Sequence, residues 1–364
     1  MEKLKFAIIG CGRISYKHVE ALYRNVEEAD LVATCDIIID KAIQRKTEYE
    51  NLINRKTVNT YKDYKEMILR ENIDVITIAT ESGYHAEIAL YAMNAGKHVI
   101  CEKPMALSIK DAQKMIDCSK KNNVKLSICH QNRFNKCIVD LRKAVESNRF
   151  GKLINGTARI LWNRNMDYYI QAPWRGTWKL DGGTLMNQCI HNIDLLQWMM
   201  GGEVDTVYSQ CDTFIRDIEG EDFGTILIRF KNGAIGIVEG SACVYPKNLE
   251  ETLSIFGENG TVCIGGIAVN KIENWRFTDN LDSEVKILKM QDQDPDTVYG
   301  FGHQSLFKDV IDAILNNTEP LINGVEGKKA LSIILAAYKS RLTGLPTKFP
   351  FDNFSTIDME NLKK

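Results

Sequence analysis

The sequence predicts an α/β protein in two parts: a doubly wound parallel sheet over residues 1–130, and an α+β domain with a mostly antiparallel, open-faced sheet over 131–364. Three observations carry this prediction. Short apolar runs alternate with helical patterns through the first third of the chain, the rhythm of β-α units. From Leu153 onward, apolar runs follow one another directly, joined by turns containing Asn and Gly. Between two of these runs lies a stretch from Asp181 to Gly202 that is apolar on most sides and reads as a buried helix.

Composition bounds the function. Hydrophobic residues make up 44% and charged residues 26% of the chain, values of an ordinary globular protein. Lys and Arg total 46 against 48 Asp and Glu, so no overall positive field draws nucleic acid or an anionic membrane. The ten cysteines include no C-x-x-C pair and read as reduced thiols rather than a disulfide or metal framework. The first residues, M-E-K-L-K-F-A-I-I-G, hold an apolar run too short for a signal peptide or a membrane span, so a cytoplasmic protein is expected.

Leu4 to Ile9 reads as a buried strand, and Gly10-Cys11-Gly12-Arg13-Ile14-Ser15 turns from it into a helix. Gly10 permits the tight turn. Gly12 removes the Cβ that would keep a pyrophosphate from the helix N-terminus, where unpaired N–H groups and the dipole favour negative charge. Ser15 replaces the third glycine of the dinucleotide fingerprint, so the second strand has to support the assignment. Leu31 to Cys35 ends in Asp36, 24 residues beyond Gly12, where a carboxylate accepts from ribose hydroxyls and repels a 2′-phosphate. The alternative is an ordinary strand-end Asp closing a turn. A Rossmann sheet binding NAD is expected.

The alternation continues as helix Tyr61–Leu69, strand Val75–Ala79, helix Tyr84–Asn94, strand His98–Cys101, helix Ile109–Lys121 and strand Lys125–Cys129. Ligands of such sheets sit outside the strand C-termini, which singles out Thr80-Glu81-Ser82, Glu102-Lys103-Pro104 and Gln131-Asn132-Arg133. Lys103 is the strongest candidate, because the residue before proline is held extended. A solvated loop lysine is the plainer alternative.

A helix near Lys136–Ser147 opens the second domain. Strand-like runs follow at Leu153–Trp162, Val207–Arg216, Gly224–Phe230, Ala234–Ala242, Glu251–Phe256, Thr261–Gly265, Lys271–Phe277 and Glu284–Lys289. Lys231-Asn232-Gly233 and Gly257-Glu258-Asn259-Gly260 read as hairpin turns. An uncovered sheet face usually marks a subunit interface, so a homo-oligomer is expected. Two late amphipathic helices, Gln304–Asn316 and Val325–Thr343, are expected to pack back on the first domain.

In the Asp181–Gly202 helix Thr184 is the expected N-cap and Gly201-Gly202 the stop. Asn187, His191 and Asp194 share its one polar stripe, at i, i+4 and i+7. Interior polar groups need partners, so the stripe faces either a structural network or a ligand cavity. The loop before it combines Arg164 and Arg175 with Trp162, Tyr168, Tyr169, Trp174 and Trp178. Arginine forks bind carboxylate or phosphate and aromatic faces stack on rings, though either type can equally cap a core. Tyr245-Pro246-Lys247-Asn248 and Tyr299-Gly300-Phe301-Gly302-His303 are further candidates for a cavity rim.

G-C-G-R-I-S, E-K-P at 102–104 and D-G-G-T-L-M-N-Q-C-I-H-N-I-D at 181–194 together resemble the glucose-fructose oxidoreductase / inositol dehydrogenase family over nearly the whole chain. W-R-G-T-W-K-L-D-G-G-T-L-M-N-Q, Y-P-K-N-L-E, F-G-E-N-G-T-V-C-I-G-G and V-Y-G-F-G-H look like its bacterial nucleotide-sugar branch, the UDP-N-acetyl-2-amino-2-deoxyglucuronate 3-dehydrogenases. The resemblance implies a Rossmann domain followed by an open-faced α/β domain, a homotetramer, and a role in lipopolysaccharide or O-antigen synthesis. It also implies NAD as cofactor, with 2-oxoglutarate as a possible recycling acceptor. Most of the wider family that the chain resembles has Asp where this chain has Asn187, and Asn is usual in the nucleotide-sugar branch.

The implied chemistry is hydride transfer from C3 of the sugar. His191, Lys103 and Asn187 are the catalytic candidates, and either His191 or Lys103 takes the hydroxyl proton. Gly10, Gly12, Arg13, Ile14, Asp36, Thr80, Ser82, His85, Glu102, Lys103, Gln131, Trp174 and Arg175 are the expected cofactor contacts. Lys103, Arg164, Tyr169, Asn187, His191 and Lys247 are the expected substrate contacts. The rival readings are a dehydrogenase of a free polyol such as inositol, and a non-catalytic NAD-binding regulator.

Overall fold

The computed structural model describes residues 2–283, 286–287, 290 and 300–361. The chain divides into two compact units, one of Met1–Ala106, Lys110–Cys129 and His303–Lys328, the other of Leu107–Ile109, His130–Gly302 and Lys329–Lys364.

The first unit follows β1 (Leu4–Ile9), α1 (Ser15–Arg24), β2 (Ala29–Cys35), α2 (Ile39–Ile53), β3 (Asn59–Tyr61), α3 (Tyr64–Arg70), β4 (Val75–Ile78), α4 (His85–Asn94), β5 (His98–Cys101), α5 (Ile109–Lys121) and β6 (Leu126–Ile128). Its six strands are all parallel, in the order β3-β2-β1-β4-β5-β6. β4 is buried along its whole length, as a strand covered on both faces must be. Tyr61 departs from expectation. It pairs with Cys35 at the end of β3 instead of opening a helix. The long α2 escaped the apolar reading because only Ala42, Arg45 and Tyr49 on it are buried.

The second unit contains α6 (Lys136–Glu146), β7 (Leu153–Leu161), α7 (Met166–Ile170), α8 (Thr184–Asn187), α9 (Ile190–Met199), β8 (Val204–Asp212), β9 (Phe223–Phe230), β10 (Ile235–Ser241), β11 (Glu250–Gly257), β12 (Gly260–Gly265) and β13 (Lys271–Phe277). With the short β14 (Thr347–Lys348) these strands form one sheet, β13-β12-β11-β7-β10-β9-β8-β14. Only β7 and β10 run parallel in it; the other neighbours are antiparallel. β8 stops at Asp212, short of the expected Arg216, because the Asp222 carboxylate accepts from the N–H groups of Phe214, Ile215 and Arg216 and draws them into a loop. Of the strand expected over 284–289 only Lys286 and Ile287 are described, and they are helical. The rest of it lies outside the described residues, as does Tyr299.

One sheet face carries α8 and α9, and glycines let them approach. A Cβ on Gly240 would lie 2.5 Å from Cys189 Sγ, and one on Gly156 2.7 Å from Leu196 Cδ1. The other face presents Leu227 opposite Ile237, both exposed, beside the Arg159 guanidinium paired with Glu239 and Glu250.

The single helix expected over 184–200 is two. Thr184 N-caps nothing: it is the first residue of α8, and α9 begins only after Gln188 and Cys189. The backbone N–H groups of both Gln188 and Cys189 point to Thr184 O, which closes one helix before the next starts.

Of the two late helices, α10 (Gly302–Leu315) packs within the first unit, where Phe307 stacks on Phe6 at 6.1 Å and Lys308 pairs with Glu28. α11 (Gly324–Thr343) begins there too, Gly327 resting on Ile128, but from Lys329 it belongs to the second unit. No helix among the described residues is long and apolar enough to cross a membrane.

Candidate active-site groups

The turn after β1 has the build of a phosphate-binding turn. Gly10 has φ +87°, and a Cβ there would lie 2.6 Å from the backbone of Ala79 and Thr80, so only glycine fits. A Cβ on Gly12 would meet nothing within 4 Å, which leaves open space beside the start of α1. Ser15, in place of the third glycine, turns its hydroxyl inward to donate to Gly12 O at 2.7 Å. Arg13 is exposed and Ile14 half-buried next to it. At the end of β2 the Asp36 carboxylate accepts from Cys11 N and Ile38 N, each at 2.8 Å, so it is tied to the glycine turn while remaining half-exposed. Gly10, Gly12 and Asp36 have the residue types and arrangement that fit a dinucleotide.

Thr80 is half-buried and Ser82 buried, in the short turn after β4. His85 and Glu102, expected to face the cofactor, are turned into the protein. His85 Nδ1 lies 2.8 Å from Pro104 O and Nε2 3.1 Å from Thr80 O, and burial pushes its pKa down despite both carbonyls. Glu102 Oε1 accepts from His18, and Oε2 from Lys103 N. Burial would raise the Glu102 carboxyl, but the bonds from His18 and His303 hold it well below the usual range. Lys103 itself is half-buried.

In the second unit Asn187 and His191 are half-buried while Asp194 is wholly buried, so the predicted stripe is divided. Asn187 Nδ2 donates to Asp181 Oδ1, and Asp181 Oδ2 accepts from Gly176 N at 2.8 Å. Gln188 Nε2 reaches both Asn187 Oδ1 at 2.8 Å and the Tyr168 hydroxyl at 3.0 Å. Tyr168 is the hub of the loop. Arg175 lies 4.1 Å and Arg164 5.4 Å from its ring centroid, and Arg164 Nε donates to Gln188 Oε1. Arg164 also bonds Asn248 Oδ1 at 3.1 Å. His191 stands edge-on to the His130 ring, centroids 5.7 Å apart.

Three expected contacts are placed differently. Tyr169 is buried, and burial pushes its hydroxyl well above the usual pKa; its neighbour Tyr168 takes the place among the arginines. Lys247 is exposed, outside the Arg164–Asn248 contact. Gln131 is buried, its Oε1 without a partner among the described residues. Trp174 is half-buried, 5.6 Å from the Arg175 guanidinium. Sequence reasoning missed Gln188, Asp181 and Tyr168 as members of one network. Their signal was the i, i+1 run of amide side chains at 187–188, which a smooth helical wheel hides.

Residues 4–130 match the family model of an oxidoreductase family with an NAD-binding Rossmann fold, and residues 138–263 match that of the GFO/IDH/MocA C-terminal domain. The chain is 27% identical over 352 residues to myo-inositol 2-dehydrogenase of Thermotoga maritima, covering 93% of this chain and 96% of that protein. It is 34% identical to the WlbA dehydrogenase from Bordetella pertussis, solved with NADH and UDP-GlcNAcA, with TM-score 0.85 over 97% of this chain and 99% of that one. The WlbA dehydrogenase from Chromobacterium violaceum, solved with the same two ligands, is also 34% identical, with TM-score 0.87 and 97% of each chain covered.

Proposed function

We infer, for a chain that belongs to the GFO/IDH/MocA family of NAD-dependent oxidoreductases, that it oxidises the C3 hydroxyl of a UDP-N-acetylglucosaminuronate-type nucleotide sugar to the 3-keto sugar, in bacterial surface polysaccharide synthesis. The observation that carries the reading is the pair Arg164 and Arg175 set about Tyr168 and linked through Gln188 to Asn187, next to the helix of His191. A uronate carboxylate or a pyrophosphate matches guanidinium forks of this kind, whereas a neutral polyol offers them no anionic charge to pair with. The likeness to two proteins solved with UDP-GlcNAcA supports the same choice.

Bound NAD supplies the hydride acceptor. In the second unit His191, half-buried on α9, is the group suited to take the hydroxyl proton. Asn187, held by Asp181, presents an amide to a neighbouring hydroxyl. In the first unit Lys103 is the group suited to stabilise the oxygen as negative charge develops. Asp36 selects NAD. Asp36→Asn keeps an acceptor for Cys11 N but removes the charge, and is expected to reduce the preference for NAD over NADP by about 10- to 100-fold in kcat/KM. An unchanged ratio removes Asp36 from cofactor selection.

The substrate test is absorbance at 340 nm with NAD and UDP-N-acetylglucosaminuronate, with myo-inositol in parallel. Reduced cofactor forming with the UDP-sugar, and disappearing when 2-oxoglutarate is added, is the expected result. Turnover of inositol with none of the UDP-sugar would replace this reading by that of a polyol dehydrogenase, which the 27% identity to myo-inositol 2-dehydrogenase favours. The open sheet face, with Leu227 and Ile237 exposed, is the surface through which a homotetramer would assemble.

A further inference from the structure

Inside the first unit, Glu102 is gripped by two histidines. His18 Nε2 lies 3.0 Å and His303 Nε2 3.3 Å from the same oxygen, Glu102 Oε1. The side chains are 0%, 3% and 8% exposed for His18, His303 and Glu102. The two rings are 5.9 Å apart, and His18 meets Phe307 of α10 edge-on at 5.4 Å. Nδ1 of each ring is buried without a hydrogen-bond partner among the described residues.

That last fact fixes the protons. A neutral imidazole carries one N–H. On Nδ1 it would be a buried donor with no acceptor, while a bare Nε2 faced a carboxylate oxygen. On Nε2 it makes a charge-assisted bond to that oxygen, so each ring donates to Glu102 from Nε2. The same three residues have the makeup of a divalent-cation site, their ligand atoms lying within 4.8 Å of one another. Coordination, however, takes both Nε2 lone pairs and moves both protons to Nδ1, where a metal-ligating histidine ordinarily has a carbonyl or carboxylate to receive them. Among the described residues neither Nδ1 has one.

The other carboxylate oxygen, Oε2, accepts from Lys103 N at 3.3 Å. On the far side of Lys103, Pro104 O is held by His85. We propose that His18 and His303 are positioning residues for Lys103: acting through Glu102, they fix the backbone from which the Lys103 side chain leaves. α1 and α10 thereby set the orientation of the E-K-P turn without touching substrate or cofactor. The proposal rests on the reading of Lys103 as a group that acts on the substrate hydroxyl.

Glutamine can replace the Nε2 donor of histidine, whereas leucine fills similar volume and donates nothing. His303→Leu is expected to lower kcat about tenfold with KM for NAD changed less than about twofold, and His303→Gln to recover kcat to within about twofold of the parent. Glu102→Asp, which draws the carboxylate back by one methylene, is expected to match His303→Leu and takes its place should that variant fail to fold. A second readout needs no substrate: trace acetylation of the holoenzyme by acetic anhydride, with Lys103 measured against exposed Lys247 by mass spectrometry. The Lys103 to Lys247 ratio is expected to shift at least about threefold in His303→Leu and to stay at the parent value in His303→Gln. Equal behaviour of the Gln and Leu variants overturns the proposal. So does stoichiometric zinc in the purified parent that both variants lose. If the parent turns over neither UDP-sugar nor inositol, the substrate reading fails and the labelling ratio alone decides the positioning role.

Discussion

Lys103→Met is expected to leave the protein folded and binding NAD, and to lower kcat by about 10³-fold. Methionine keeps the length and apolar stem of lysine and removes only the ammonium. Two neighbouring contacts are made without that ammonium: Glu102 accepts from the Lys103 backbone, and Pro104 O is held by His85. The loss should therefore fall on kcat rather than on cofactor binding. Loss of one donor to a developing oxyanion accounts for about 10²–10³, and a share in proton transfer adds to it. Pre-steady-state reduction of NAD at saturating substrate, beside NADH binding by fluorescence, separates the two terms. A variant with parental kcat would remove Lys103 from the chemistry and leave His191 as the sole candidate for the proton.

Asp194→Ala is expected to destabilise the second unit by about 3–5 kcal/mol. Arg133 grips Asp194 with two parallel bonds, Nε to Oδ2 at 2.7 Å and Nη2 to Oδ1 at 2.6 Å, and both side chains are completely buried. The Arg133 guanidinium also lies 4.6 Å from the Trp198 ring. Removing the carboxylate strands a buried cation, which costs far more than the pair contributes over apolar residues of equal volume. Arg133→Met with Asp194→Leu is accordingly expected to recover most of the loss. Burial alone would raise the Asp194 pKa, but Arg133, then His130, outweigh it and hold it below the usual value. A depressed folded pKa means a contribution fully present above the unfolded value of about 3.9 and lost as pH falls through the folded one. The difference between parent and Asp194→Ala should thus shrink only in strong acid. All five tryptophans, 162, 174, 178, 198 and 275, belong to the second unit, so tryptophan fluorescence in urea reports this transition selectively. Equal midpoints for parent and variant would contradict the prediction.

The parts of the fold legible in the sequence were those whose signal is local. β1, its glycine turn and α1 are contiguous, and Asp36 ends the next strand, so the turn could be assembled without long-range knowledge. α2 and β3 were lost because α2 buries a thin stripe and β3 is three residues long. The division of α8 from α9 was invisible, since a run of apolar residues gives the same periodicity whether or not the backbone restarts at Ile190. In the sequence Asp194 shares a polar stripe with Asn187 and His191, and its partner Arg133 is out of view because it lies 61 positions away. The second histidine on Glu102 is out of view for the same reason, lying 201 positions further on. Tyr168 and Tyr169 are adjacent, so only the turn of α7 separates the one among the arginines from the one in the core.

The glycines beneath α8 and α9 give the sheet the role of a reference surface. Gly156, Gly236 and Gly240 bring Leu196 and Cys189 against bare backbone, so the elevation of the His191 helix is set by missing methyl groups rather than by a particular side-chain fit. The arginine-bearing loop between β7 and α8 lies outside the strands and does not rest on these three glycines. A lineage can therefore rewrite what the loop reads while the histidine keeps its height. A methyl gained at one of those glycines would instead tilt the helix for every substrate alike.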